Sequence, residues 1–294
     1  MKATLIINPL SGKRKAPQII AMAKAMAEEL GIALEVRTIE GHGHGTTLAK
    51  EALERGQDRV IFAGGDGTLN AVAAGLIGST MPLGIVPMGS GNGYARSLKL
   101  PLKPDAALRI AFSASAAPMD VCYLNDKPFI GTAGIGFDAR VSWEFDKSKS
   151  RGLWGYMRII LQQILSAKPM PISVEANGTT VQENVLMLVF ANTREFGNGA
   201  IISPGSAPDD GMAELQVVQK PGLLGLVRAF YDIYTGGAQR SPHIHSIVTD
   251  RALVRQPDVI AHMDGEPVKV GNEVRFRLEP KQLWVVHLLH RPIV

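Results

Sequence analysis

Gly64-Gly65-Asp66-Gly67-Thr68-Leu69-Asn70 decides the reading of this chain, because Arg59-Val60-Ile61-Phe62-Ala63 precedes it and Ala71-Val72-Ala73-Ala74-Gly75-Leu76-Ile77 follows. The first flank reads as a buried strand and the second continues the turn as a helix. Glycines let backbone N–H groups approach an anion closely, and the helix start adds the positive end of its dipole. Phosphate suits such a turn. Asp66 opposes a bare anion, since like charges about 4 Å apart repel by roughly 4 kcal/mol at an effective dielectric near 20. A bridging Mg2+ reverses that sign. On their own, the same residues also make an ordinary strand-to-helix turn with Asp66 as its cap.

The rhythm continues outward. Strands at 3–7, 33–38, 59–63 and 83–86 alternate with helices at 17–30, 46–55 and 68–77, which predicts βαβ units on a mainly parallel sheet. Pro17 near the first helix start and Gly31 past its end agree with this. After about residue 117 the pattern turns β-rich, with runs at 118–123, 128–133, 171–176, 184–191, 213–218, 246–255, 258–263, 273–278 and 282–288. Two helices are expected near 150–166 and 222–235. The expected fold is α/β plus β: a doubly wound, mainly parallel α/β domain over 1–116, then an antiparallel β-sandwich over 117–294 whose last residues return to the first domain. The cleft between the domains is the expected place for a substrate.

At 294 residues, with 46% apolar and 20% charged residues, the chain has the composition of two globular domains. The net charge of +4 suits an anionic partner, but the 31 basic and 27 acidic residues are spread without a polybasic tail and charge alone decides nothing; no nucleic-acid partner is expected. The single cysteine, Cys122, excludes an intrachain disulfide and any multi-cysteine metal site, and it reads as a buried thiol in a reducing compartment. The apolar start stops at Asn8-Pro9, too soon for a secretory leader, and no run approaches 18 apolar residues. A cytoplasmic protein is expected.

Two further loops follow predicted strands. Asn8-Pro9-Leu10-Ser11-Gly12-Lys13-Arg14 lies on the same sheet edge as Gly64–Asn70 if the strands are parallel, and Lys13 is placed to neutralise a phosphate. Its spacing is not that of a P-loop. Pro87-Met88-Gly89-Ser90-Gly91-Asn92-Gly93-Tyr94-Ala95-Arg96 puts three glycines within five residues, again implying close backbone approach. His42 and His44 alternate with glycines but lack further spaced ligands, which favours a loop over a zinc site.

Asn8-Pro9-x-Ser11-Gly12-Lys13, Gly64-Gly65-Asp66-Gly67-Thr68-x-Asn70 and Pro87-x-Gly89-Ser90-Gly91-Asn92 together resemble the ordered motifs of the diacylglycerol kinase catalytic-domain family, which includes sphingosine, ceramide and bacterial lipid kinases. The resemblance continues through Gly134-Ile135-Gly136-Phe137-Asp138-Ala139, Pro204-Gly205-Ser206-Ala207-Pro208-Asp209-Asp210-Gly211 and Asp264-Gly265-Glu266. It spans about residues 3 to 290.

The resemblance implies an ATP- and Mg2+-dependent lipid kinase. It puts nucleotide contacts on Asn8, Ser11, Lys13, Thr38, Gly64, Gly65, Asp66, Gly67, Thr68, Leu69, Asn70, Gly89, Ser90 and Asn92, although Thr38 reads equally as a β-branched strand residue. It makes Glu266 the general base toward a lipid hydroxyl, with Asp264 and Asp66 as the other catalytic acids. Asp66 and Asp120 fall in the catalytic Mg2+ network, and Ala207, Asp210 and Met212 match a loop holding a second, structural Mg2+. Gly93 departs from the pattern, because many bacterial members carry Asp there, and Asn92-Gly93-Tyr94-Ala95 is closer to the sphingosine and ceramide kinases. The implied acceptor is therefore a diacylglycerol, phosphatidylglycerol or sphingoid-type lipid. Lys147, Lys149, Arg151 and Arg158 interleave with Trp154, Tyr156, Met157 and Ile159 as a transient membrane-surface segment would, or as a helix with a solvated basic face. An NAD kinase and a sensor without turnover are the alternatives, and the oligomeric state, a homodimer included, stays open.

Overall fold

The computed structural model describes residues 1–12, 15–148 and 153–288. The chain forms two units, Met1–Asp120 with Pro280–Val294, and Val121–Glu279. In the first unit β1 (Lys2–Ile7), α1 (Ala16–Glu29), β2 (Ala33–Thr38), α2 (His44–Glu54), β3 (Arg59–Gly64), α3 (Asp66–Ala74), β4 (Leu83–Pro87), α4 (Gly93–Ser97) and α5 (Pro104–Ser113) follow one another, and β5 (Ala116–Leu124) leads out of it. The strands pair in parallel in the order β2-β1-β3-β4.

Near-continuous apolar sequence in β1 and β3 is what a parallel strand covered on both faces requires. Leu5, Ile7, Ile61, Ala63 and Val86 pack on Ile19, Ala23 and Met26 of α1 and on Leu108 and Phe112 of α5. Elsewhere in the unit α2 and α3 lie so close that a Cβ on Gly75 would sit 2.6 Å from the Thr46 carbonyl oxygen. The predicted helix at 68–77 starts earlier, at Asp66, with Gly65 extended before it. Asp66 thereby enters the first helical turn, beside the positive end of the dipole.

The second unit runs β6 (Lys127–Phe129), β7 (Thr132–Gly136), α6 (Phe137–Lys147), α7 (Leu153–Ile164), β8 (Met170–Ala176), β9 (Thr179–Val185), β10 (Met187–Ala191), β11 (Glu195–Gly197), β12 (Ala200–Ile201), β13 (Ala213–Val218), α8 (Leu223–Tyr234), β14 (Ile244–Thr249), β15 (Arg251–Arg255), β16 (Ile260–Met263), β17 (Glu266–Lys269) and β18 (Glu273–Val286). One antiparallel sheet has the order β14-β13-β10-β7-β16-β17, and β18, β15, β8 and β9 pair antiparallel in that order. Their facing residues form one core, with the Phe190 and Phe276 rings 5.3 Å apart. From Pro280 on, β18 belongs to the first unit, where Val285 pairs beside Leu83.

Several predicted runs resolve differently. The run at 184–191 divides between β9 and β10, and 246–255 is the hairpin of β14 and β15. The runs at 273–278 and 282–288 are one strand, which passes Pro280 with Lys281 at φ +58°. Helix α6 had no clear apolar period because two of its four buried residues, Asp138 and Ser142, are polar.

Candidate active site

The register brings the loops of the first unit to one edge. Ile7 pairs with Thr38 on one side and Ala63 on the other, and Gly64 pairs with Pro87. The direction of strand addition reverses between β1 and β3, where open parallel sheets hold their ligands. Asn8 and Thr68 meet at that point: Asn8 Nδ2 donates to Thr68 Oγ1 at 2.9 Å, while Asn8 Oδ1 accepts the Leu10 N–H. The Gly64 carbonyl accepts the N–H groups of Met88 and Gly89 at 2.7 and 3.2 Å. A Cβ on Gly89 would stand 2.7 Å from Gly65 Cα, so the second and third loops touch through bare backbone.

Asp66 joins the same two loops. Its Oδ2 accepts the Gly93 N–H at 3.1 Å and its Oδ1 the Tyr94 N–H at 3.2 Å. Gly93 thus serves Asp66 through its backbone. Burial pushes the Asp66 carboxyl above its ordinary range, and the hydrogen bonds from Gly93 and Tyr94 pull it back down. Asn92 is left-handed at φ +53°, its Nδ2 donates to the Gly89 carbonyl, and its buried Oδ1 has no partner among the described residues.

The other expected nucleotide residues fall out unequally. Thr38 and Ser90 are exposed, Ser11, Gly67, Thr68 and Asn70 are half-buried, and Leu69 turns its side chain into the core at 2% exposure. Lys13 lies outside the described residues. Asp120, on β5, is fully buried, and its Oδ1 accepts the Lys281 N–H at 2.9 Å.

In the second unit Asp264 and Gly265 form the two-residue turn between β16 and β17, both at positive φ (+48° and +83°), as a tight hairpin demands. Asp264 does not hang in solvent. Its Oδ1 accepts the N–H groups of Gly131 and Thr132 and its Oδ2 that of Ile130, at 2.8 to 3.0 Å. Such bonding makes Asp264 an anchor, while Glu266, the next residue but one, is exposed.

The Pro204–Gly211 loop is also anchored from beneath. Ser206 donates to Ser203 at 2.8 Å, Ser203 bonds Glu214, and Gln216 Nε2 donates to both Ser203 and Glu214. On the loop, Asp210 Oδ1 accepts the Met212 N–H at 2.9 Å. Burial, helped by the neighbouring Asp209 charge, raises the Asp210 carboxyl, and the Met212 hydrogen bond opposes the rise. Ala207, on the same loop, is buried.

Among the described residues no three or more His, Cys, Asp or Glu side chains gather as a metal site. Mg2+ bound with a nucleotide needs few of them, since phosphates and water supply most of its oxygens. Asp66 and the Asn92 carbonyl oxygen are hard donors of the right kind. The Ala207–Met212 loop offers carbonyls and two carboxylates, Asp209 and Asp210. His44 is occupied otherwise, its Nδ1 accepting the Glu40 N–H.

Of the expected membrane-surface segment, Lys149 and Arg151 and the side chains of Trp154 and Tyr156 lie outside what is described. Lys147 pairs with Glu144 at 3.2 Å, and Arg158 is exposed. Leu161 and Leu165, further along, are also exposed. No helix among the described residues is long and apolar enough to cross a membrane.

Residues 2–124 match the family described as diacylglycerol kinase catalytic domain, and residues 131–287 match the YegS C-terminal NAD kinase beta sandwich-like domain. The chain belongs to the diacylglycerol kinase catalytic-domain family. A protein named "Probable lipid kinase YegS-like" from Klebsiella pneumoniae is 30% identical over 288 residues, covering 96% of this chain and 94% of its own length. A diacylglycerol kinase of Mycobacterium tuberculosis is 28% identical over 274 residues, covering 90% and 88%. The crystal structure of a diacylglycerol kinase from Bacillus anthracis superposes with a TM-score of 0.75 at 19% identity, covering 98% of this chain and 97% of that one. That last likeness concerns the fold. Within the family, this chain is a lipid kinase.

One pair escaped the sequence reading. Buried Asp138 and His262 face each other at 3.1 Å, next to the Asp264–Glu266 turn. The signal available was Gly134 four residues before Asp138, a glycine in a strand that marks a close approach.

Proposed function

We propose that this chain transfers the γ-phosphate of ATP to the hydroxyl of a diacylglycerol, phosphatidylglycerol or sphingoid-type lipid. The observation that carries the reading is the contact of the Gly64–Asn70 and Gly89–Asn92 loops, which follow β3 and β4, drawn together around one half-buried carboxylate beside the strand reversal. Backbone N–H groups there suit phosphate oxygens, and Asn8, Ser11, Lys13, Thr38, Thr68, Asn70, Ser90 and Asn92 are assigned to the nucleotide. Asp66 would hold a Mg2+, with Asp120 as the further acid of that network, and the ion would neutralise the phosphate charge that develops during transfer. Ala207, Asp210 and Met212 would hold a structural Mg2+.

Glu266 takes the proton of the lipid hydroxyl as that oxygen bonds to the γ-phosphorus and the bond to the β-phosphate oxygen breaks, leaving ADP. Asp264 contributes by fixing the turn on which Glu266 sits. The protein would work on the cytoplasmic side, meeting the membrane transiently. A second reading, an NAD kinase, is favoured by the kind of β-sandwich that residues 131–287 match.

The test is transfer of labelled phosphate from ATP with Mg2+ to diacylglycerol, phosphatidylglycerol, sphingosine, ceramide and NAD, using Asp66→Ala as the blank. A labelled lipid that vanishes in the blank is expected. Labelled NAD would establish the rival, and binding without any product would make the chain a sensor. Full turnover by Glu266→Gln would remove the base role from that residue.

A further inference from the structure

Helix α6 holds the hairpin that carries Glu266 at three points. Trp143 Nε1 donates to the Ala261 carbonyl at 3.3 Å, Ser142 Oγ donates to the Gly265 carbonyl at 2.7 Å, and Asp138 faces His262. The third contact differs from the others in being buried and ionisable: Asp138 is 6% exposed and His262 5%. His262 stands on β16 two residues before Asp264, paired across the hairpin with Pro267, the neighbour of Glu266.

Room for the pair is built into β7. Gly134 lies opposite His262 in the sheet, and a Cβ there would come 1.8 Å from Asp138 Oδ2 and 2.8 Å from His262 Nε2. Asp138 is held from its other oxygen, Oδ1, by the Ala139 N–H at 2.8 Å in the first turn of α6. The His262 ring meets the edge of Phe196 with centroids 6.1 Å apart, and its Nδ1 has no partner among the described residues. The ring orientation therefore depends on the Asp138 bond. A buried polar pair that only filled space would be replaceable by apolar side chains at little cost.

We infer that Asp138 and His262 are positioning residues for Glu266: the pair fixes β16 against α6 and so sets where the Glu266 carboxylate meets the acceptor hydroxyl. This inference rests on the proposed role of Glu266. Phosphoryl transfer depends on placement, and an error of about 1 Å costs about 100-fold. Removing the pair therefore lowers kcat and leaves the KM for ATP in place, because the nucleotide loops belong to the other unit.

The experiment is a double-mutant cycle. His262→Leu is expected to lower kcat about 10- to 100-fold with the ATP KM changed less than about twofold. His262→Gln, which keeps a donor near the Nε2 position, recovers most of that loss. In a Glu266→Gln background His262→Leu costs less than about twofold, since the carboxylate it positions is gone. In parallel, hydrogen exchange of the Asp264 amide, which donates to the Thr132 carbonyl at 2.8 Å, speeds about tenfold in His262→Leu. An equal loss in both backgrounds, or unchanged exchange, overturns the inference. If His262→Leu does not fold, Asp138→Asn, which removes the carboxylate that His262 faces, runs the same cycle with the same expected losses. If Glu266→Gln turns over normally, the base role fails on its own, and the exchange measurement still judges the pair.

Discussion

Asp66 and Asp264 use one device in two units: a carboxylate from one loop gathers the backbone N–H groups of another. Asp66 accepts two, from Gly93 and Tyr94, and Asp264 accepts three, from Ile130, Gly131 and Thr132. Asp66 sits in the first turn of α3, beside the positive end of the helix, whereas Asp264 sits in a hairpin turn between two strands. On the proposed function, the difference separates a cation ligand that also braces its loop from a brace beside the proposed base, Glu266. Residue type and spacing do not separate them, because both are an Asp followed by Gly in a turn.

Alanine substitution at the two positions puts the sharpest strain on that comparison. Asp66→Ala should lower phosphate transfer by about 1,000-fold, the scale for losing a group that stabilises developing charge. Asp264→Ala leaves three N–H groups without their acceptor, at about 1 kcal/mol each. Its main effect is on stability, on the order of 10 °C in the unfolding of the second unit. Calorimetry beside the labelled-phosphate assay reads both. Equal losses of stability in the two variants would erase the distinction.

The legible parts of this protein are those where one short segment carries both the period and the chemistry. β1 to β4 and their intervening helices show in apolar alternation, and Asn8, Asp66 and Gly89 lie in loops whose edge follows from parallel pairing. The second unit is less legible because its contacts are remote in sequence. Asp264 is tied to residues more than 130 positions away, and nothing in Asp-Gly-Glu announces Ile130–Thr132 as its partner. Helix α6 escaped because its buried face carries Asp138 and Ser142, the two residues that reach His262 and Gly265. The short turns at Leu186 and Asp250 lack glycine and proline, so neighbouring strands read as single runs.

Glycines sharpen the comparison at a smaller scale. Gly89 is needed for closeness: its φ is not in the left-handed region, but a Cβ would strike Gly65 Cα at 2.7 Å. Gly265 is needed for its φ of +83°, with open space around it. Gly89→Ala should reduce transfer about 100-fold by parting the two loops, and asparagine there should do no better. Gly265→Ala should cost about 1 kcal/mol of stability, and Gly265→Asn should recover most of it because asparagine tolerates the left-handed region. Recovery by asparagine at Gly89 would show that conformation, not contact, requires that glycine.

The smallest expected effect is a pH dependence that comes from the first carboxylate. Burial raises the Asp66 carboxyl above its ordinary value of 3.8, so the folded protein binds that proton more tightly than the unfolded chain does. The stabilising contribution is complete below 3.8 and is lost as pH rises through the raised value. The free protein should therefore lose stability over that range relative to Asp66→Asn, whose side chain does not titrate. Added Mg2+ with nucleotide should flatten the difference, because a cation beside Asp66 compensates the buried charge. Thermal unfolding of both proteins across pH, with and without Mg2+ and a nucleotide, reads the sign directly. A difference that survives saturating Mg2+ and nucleotide would mean that no cation reaches Asp66, and the carboxylate would then be a brace like Asp264.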